Sequence, residues 1–225
     1  MVPWELVDSA HVPGSGQLLR LYKRGVEFSI RVGSHELMNS RVHGSEESLA
    51  DLACLRIAKR ARSRILIAGL GMGYSVAAAL RRLATDARVS VIELVPAVVA
   101  WNRGALAHLA GNPLADQRVR VREADIVALL KTEQQQYDAI LFDVDNGPQG
   151  LTRTDNSWLY TPAGLKAGFG ALRPQGVLAV WSALPDRAFA QRLRRTGFTV
   201  DEVTVRARGR QGGSRRTIWI AQHVV

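Results

Sequence analysis

Three glycines spaced two apart, Gly69, Gly71 and Gly73, close the apolar run of RILIAGLGMGYSVAAAL at residues 64–80. An apolar strand that ends in glycines and passes straight into a small-residue helix lets main chain approach a ligand, because no side chain stands in the way. The turn is not a phosphate-binding P-loop, since no Gly-Lys-Ser/Thr follows it. It is also tighter than the G-x-G-x-x-G of dinucleotide sites, running G-x-G-x-G into Tyr74 and Ser75. Gly69, Leu70, Gly71, Met72 and Gly73 are therefore assigned to the amino-acid or sulfonium end of a cofactor. Three acids downstream carry the rest. Glu93 ends RVSVIEL about twenty residues past the turn, where a carboxylate accepts both hydroxyls of a ribose. Asp125 ends VRVREAD and suits the exocyclic amino group of adenine; Asp143 ends the apolar core of YDAILFDVDNGP. Leu94 and Ile126, beside the first two acids, are assigned to the same cofactor. Acids at strand ends beside a bare turn describe a site for an adenosyl group on a sulfonium: S-adenosylmethionine or a close relative.

These residues need elements that bring them to one edge. From residue 64 onward the pattern predicts strands at 64–69, 88–94, 118–124, 137–144, 176–183, 199–207 and 217–224. Helices are expected at 74–85, 96–109, 126–132, 161–172 and 186–196. Such alternation implies a parallel sheet covered by helices, with ligands at the carboxyl ends of its strands. Only RGRQGGSRR separates the last two strands, too short for a crossover helix, so they must form an antiparallel hairpin. A seven-stranded, mostly parallel sheet ending in that hairpin is the Rossmann-like class I methyltransferase fold, of class α/β. Ahead of it, QLLRLYK, VEFSIRV and HELMN read as a small β-meander with turns at Arg24-Gly25 and Gly33-Ser34. HGSEESLADLACLRIAKR reads as a helix with Ser45 as N-cap and Glu46 and Glu47 in the first turn. The expected division is 1–44, a β-rich segment, and 45–225, the cofactor-binding domain.

Composition narrows the classes. The 225 residues, 47% hydrophobic, suffice for one well-filled core. No run has the length of a membrane helix, and MVPWELVDSA lacks the pattern of a secretory signal. Cys54 is the single cysteine, which excludes an internal disulfide and argues against a zinc cluster, so no metal is expected. A cytoplasmic protein is expected. The net charge of +10 admits nucleic acid as a partner, but the densest region, Arg187 to Arg216, has no interleaved aromatics for base stacking. Nucleic acid is therefore not the favoured partner; arginine-rich codon usage explains the charge as well.

The motifs ILIAGLGMG, VIELVPAVV, READ and YDAILFDVDNGPQGL, with the short β-rich start, resemble the spermidine synthase family of polyamine aminopropyltransferases. The resemblance covers most of the chain. It implies a ribose role for Glu93, an adenine-side role for Asp125, and a role for Asp143 in deprotonating the attacking amine. It implies a mobile loop at Gly147-Pro148 and a homodimer. Three departures stand out. The family's turn carries an aspartate, here Met72, that holds the amine of the aminopropyl chain. The tyrosine of its Tyr-His-Glu run is here Ser45, with Glu47 matching the glutamate. Its acidic pair falls on Arg41 and Val42. A methionine in the turn suits intact S-adenosylmethionine, so methyl transfer to a small-molecule amine or oxygen acceptor is preferred. Aminopropyl transfer from decarboxylated S-adenosylmethionine is the alternative, and a non-catalytic, nucleic-acid-directed protein the third reading.

Either transfer is an in-line displacement that needs positioning and removal of one proton. Asp143, Asp145 and Asn146 are the candidates for that work, Asp143 first. Residues 149–160 read as a lid, with Trp158 and Tyr160 closing on the acceptor or anchoring the loop. His43 and Glu47 are further acceptor-side candidates. Trp101 and Asn102 could border the adenine, and Trp181-Ser182 the pocket floor.

Overall fold

The computed structural model describes residues 2–144, 147–148 and 154–223. Four strands come first: β1 (Glu5–His11), β2 (Leu18–Arg24), β3 (Glu27–Val32) and β4 (His35–Asn39). They form an antiparallel sheet in sequence order. The sequence pattern anticipates three of them. β1 escapes it because five of its first six side chains are exposed, so it has no inward and outward alternation. Besides its pairing with β2, a hydrogen bond from the indole N–H of Trp101 to Asp8 at 2.7 Å ties it to the larger sheet's helices.

The chain then alternates: α1 (Gly44–Arg56), β5 (Arg64–Ala68), α2 (Tyr74–Arg82), β6 (Arg88–Glu93), α3 (Pro96–Arg103) and β7 (Val119–Glu123). It continues through α4 (Ile126–Leu130), β8 (Tyr137–Phe142), α5 (Pro162–Ala171), β9 (Leu172–Ser182), α6 (Arg187–Thr196), β10 (Phe198–Arg206) and β11 (Arg215–His223). The seven-stranded sheet has the order β10-β11-β9-β8-β5-β6-β7. β9, β8, β5, β6 and β7 are parallel, whereas β11 and β10 add antiparallel at one side. This is the expected α/β fold of the class I methyltransferase type. No described helix is long and apolar enough to cross a membrane.

Local expectations shift at three places. The helix anticipated at 96–109 stops at Arg103; Gly104 leaves helical geometry (φ −120°, ψ −109°), and a 3₁₀ turn follows at Ala107–Ala110. That break lets Leu106 turn into the core. Ser45 is not an N-cap. The cap is His43, and Gly44 opens the helix because its N–H donates to the Ala207 carbonyl of the terminal hairpin (2.9 Å). Any side chain at Gly44 would run into the backbone of Arg208 and Gly209. β9 starts at Leu172, earlier than the pattern suggests.

Two apolar layers cover the large sheet. One joins α1, α2 and α3 to the inner residues of the small sheet, among them Leu19, Leu21, Phe28 and Ile30. The other packs α4, α5 and α6 on the opposite face. All six residues of β8 are buried, as a central parallel strand requires. One of them is charged: Asp138, 3% exposed, accepts from Arg60 (2.6 Å), Arg173 (3.1 Å) and the N–H of Arg64 (2.7 Å).

The chain runs outward from β5 to β6 and β7, then returns to β8 on the other side of β5. At such a reversal neighbouring connections part and leave a crevice. Sheet hydrogen bonds continue one residue past the strands: Gly69 N–H to Ile92, Asp143 N–H to Ala68, and Ala124 N–H to Glu93, each 2.9–3.0 Å. They bring the four strand ends to one level above the crevice. Asp138 anchors the opposite end of β8. Asp138→Ala should cost about 3–5 kcal/mol, because two partly buried guanidiniums lose their carboxylate. The urea midpoint should fall at an unchanged m-value.

Candidate functional site

The glycine turn is shaped by what lies beneath it. Gly69 has φ +89°, and a Cβ there would run into the carbonyl of Asp143, so the turn crosses the end of β8 in contact. From one side Glu93 holds it: Oε2 accepts the Leu70 N–H and Oε1 the Val95 N–H, both at 2.9 Å. From the other, the Asn102 side-chain amide donates to the carbonyls of Gly71 (2.8 Å) and Val98 (2.9 Å). Asn102 is thus a clamp on the turn, a role its position in α3 did not announce. Burial raises the pKa of Glu93, and the surrounding main-chain N–H groups of Val95, Leu70, Leu94 and Gly71 pull against that rise. Asp125 caps α4 by accepting the Val127 N–H at 2.8 Å.

A cavity of about 210 Å³ opens above these groups. Gly69, Gly71, Glu93, Leu94, Asp125, Ile126 and Asp143 line it together. Its far wall is apolar and comes from the N-terminal sheet, through Leu19, Ile30, Leu37 and Met38. Met38 lies so close to Gly71 that a Cβ there would meet its sulfur at 2.8 Å. The remaining turn residues do other work. Leu70 and Met72 are buried in the core, and Gly73, with φ 82°, caps α2. The side chain at the position where the family resemblance expects an acid therefore faces core. Only the N–H of Met72 reaches outward, to the sulfur of Met38 at 3.2 Å.

Beside the cavity lies a second group of residues. Asp143 accepts a hydrogen bond from the Ser75 hydroxyl, and burial pushes its pKa up to about 6. Glu46 joins it from the first turn of α1. Burial first, and then the charge of Asp143, push Glu46 up to about 7. The Ser45 hydroxyl donates to Glu46 at 2.7 Å. Sequence inspection passed over Glu46 because a first-turn glutamate is also what a helix dipole favours. Glu47 is committed elsewhere, with His43 Nδ1 at 3.2 Å and Arg81 at 3.8 Å. The His43 ring stacks on Tyr74, centroids 4.0 Å apart. Arg41 pairs with Glu27 at 2.8 Å and puts no guanidinium into the site.

Of the anticipated lid, Asn156 lines the cavity. Tyr160 is buried against Phe142 and Phe189 and donates to the Val144 carbonyl at 3.1 Å. Trp158 packs beneath Lys131, whose Nζ is 5.2 Å from its ring. Both anchor the segment to the fold. Asp145 and Asn146 lie outside the described residues, as do residues 149–153. Gly147 has φ +85° and sits against Ser182 at the end of β9, so near that a Cβ would run into its side chain. Trp101 does not line the cavity; its indole holds Asp8.

Two facing carboxyls with raised pKa values give the unliganded protein a pH signature. Their protonated forms are favoured by folding, so the stability they lend is complete below about pH 4 and is lost as pH rises through 6 and 7. Asp143→Asn should flatten that fall and gain about 2–3 kcal/mol at pH 8 relative to the parent chain. Urea unfolding at pH 5 and pH 8 measures it.

Comparison with known proteins places the geometry in context. A family model described as the spermine/spermidine synthase domain matches residues 43–186. No curated protein sequence matches the chain. Among solved structures, spermidine synthase from Thermotoga maritima aligns with a TM-score of 0.76 at 15% identity, covering 97% of this chain and 72% of that one. A spermidine synthase in complex with the transition-state analogue AdoDATO aligns with a TM-score of 0.77 at 16% identity, covering 97% and 73%. A probable spermidine synthase from Corynebacterium glutamicum gives 0.67 at 14% identity, covering 97% and 79%. At these identities the likeness carries the fold.

Proposed function

The chain belongs to the spermine/spermidine synthase family, and from that premise we propose that it moves the aminopropyl group of decarboxylated S-adenosylmethionine onto a small amine. The observation that carries this reading is a pair of acids whose charges interact, Asp143 on the wall of a cavity lined by glycine backbone and Glu46 near it on α1. A half-buried acid pair is costly when both members ionise, and an ammonium close to both relieves that cost. The site is thus suited to an amine acceptor and to taking its proton.

The residues fit the donor. Main chain at Gly69 and Gly71 lines the cavity, and neither position has room for a Cβ, because the Asp143 carbonyl and the Met38 thioether already stand there. Glu93 would accept the ribose hydroxyls, Asp125 would receive the adenine amino group, and the apolar wall at Leu94, Ile126 and Leu37 would flank the base. When bound, the donor supplies a carbon activated by its neighbouring sulfonium. The chain's part is to align the acceptor, exclude water and remove a proton. Asp143, held by Ser75 and with a pKa near 6, is ionised at neutral pH often enough to serve as the base. Glu46 would steady the ammonium before transfer. A homodimer working in the cytoplasm, as the family resemblance implies, belongs to this reading.

One observation favours a second reading, methyl transfer from intact S-adenosylmethionine. The turn has Met72 in place of an acid, with its side chain in the core, so nothing there holds an aminopropyl ammonium or repels a carboxylate. Calorimetry decides between them. Decarboxylated S-adenosylmethionine should bind tighter than the intact donor, and product mass should show an added aminopropyl group. Tighter binding of the intact donor with a methylated product would establish the second reading, and binding of neither would remove both. Asp143→Asn should lower kcat by about 10²–10⁴-fold. Glu93→Gln should weaken methylthioadenosine binding by about 10–100-fold, because one of its oxygens becomes a donor facing donors.

A further inference from the structure

Resting on the amine-acceptor reading, we infer that the acceptor also carries a carboxylate, which Arg216 and the indole N–H of Trp181 hold at the mouth of the site.

The first ground is a count of charges. Glu47 is bound to His43 and Arg81, so among the described residues the uncommitted acids at the acceptor side are Asp143 and Glu46. With their pKa values near 6 and 7 they carry about one to two negative charges at neutral pH, shared on one spot. That matches one ammonium. A plain diamine needs a second acid at its far end, and among the described residues the hairpin tip presents the opposite sign.

The second ground is where the terminal hairpin lies. β11 begins beside the end of β9, with Thr217 opposite Ser182 and Ile218 opposite Trp181. Ser182 touches Gly147, four residues past Asp143. The far side of the hairpin tip touches Gly44, two residues before Glu46, through the Gly44 N–H to Ala207 bond. The tip therefore borders both elements that carry the acids. Residues 203–223 hold Arg206, Arg208, Arg210, Arg215 and Arg216 and not one carboxylate. None of the five enters an ion pair among the described residues.

The third ground is an unanswered donor. Trp181 is 8% exposed, and its Nε1 has no hydrogen-bond partner among the described residues. The two more deeply buried tryptophans each give their indole N–H to a carboxylate, Trp101 to Asp8 (2.7 Å) and Trp219 to Glu202 (3.3 Å). Trp181 lacks that partner and instead has the Arg216 guanidinium 5.7 Å from its ring centroid. A buried donor beside a guanidinium without an ion-pair partner is suited to one carboxylate. The phosphates of a nucleic acid lying on the hairpin tip would reach the exposed arginines but not a buried indole, which places the small acidic amine ahead.

The test compares two acceptors of equal length, putrescine and 4-aminobutanoate, by calorimetry with and without saturating methylthioadenosine. 4-Aminobutanoate should bind at least about tenfold tighter, the scale of one charge-assisted contact. Arg216→Gln and Trp181→Phe should each remove most of that preference while methylthioadenosine affinity stays unchanged. Tighter binding of putrescine, or an equal loss for both amines in the two variants, would overturn the inference. So would salt-sensitive binding of duplex RNA with no preference between the amines, which would assign the tip to a nucleic acid. Absence of methylthioadenosine binding would sink the donor-site reading instead, and the titrations without nucleoside would still read the amine preference.

Discussion

One buried carboxylate organises the glycine-turn side of the cavity. Glu93 sits at the end of β6 with little access to water, and ties the N–H of Leu70 in the glycine turn to the N–H of Val95 at the start of the next helix. A carboxylate is costly to bury unless its oxygens receive donors, and here both do. The consequence is geometric. Two connections leaving neighbouring strands are locked at a fixed separation, and the crevice between them is set by that lock. Asn102 completes it from α3 by holding the carbonyl of Gly71. The turn can then be free of side chains without being free to move.

That half of the molecule was legible in the sequence because its physics is local. Glycines at positive φ, acids at strand ends and the period-two runs between them all lie within single βαβ units, and Gly69, Gly71, Glu93, Asp125 and Asp143 meet at one cavity. The parallel sheet and its terminal hairpin follow from connection lengths alone. The illegible parts depend on contacts between distant segments. Ser45 has the chemistry of an N-cap, yet Gly44 takes the helix start because the backbone at Gly209 leaves no room for a Cβ. Met72 stands in a cofactor turn but its side chain faces core. β1 has too many outward residues to show a pattern.

The same distinction explains why Glu46 was invisible. In sequence it is one of two adjacent first-turn glutamates, equivalent to Glu47 in every local respect. The fold separates them. Glu47 pairs with His43 and Arg81, whereas the pKa of Glu46 is pushed up to about 7 by burial and by the charge of Asp143. One residue of helical rotation, about 100°, decides which glutamate is a solvated ion pair and which is part of the site. No inspection of residue types recovers that without knowing what the helix packs against.

The acceptor side is consequently assembled from pieces far apart in the chain: the start of α1, the end of β8, the end of β9 and the tip of the β10–β11 hairpin. Each can change without disturbing the Glu93 lock, since none contributes to it. A nucleoside half fixed by local geometry and an acceptor half fixed by distant contacts allow a family to keep its donor chemistry while its acceptors diverge. In this chain residues 203–223 hold five arginines and no carboxylate, while Asp143 and Glu46 lie on the elements that the hairpin tip borders. Opposite charges at the two ends of a site select for a molecule that carries both, by attraction at each end and by repulsion of acceptors with the wrong sign at either. On the proposed reading, the methionine in the turn and the arginines of the hairpin act on opposite ends of the reaction, and only the second bears on which amine is accepted.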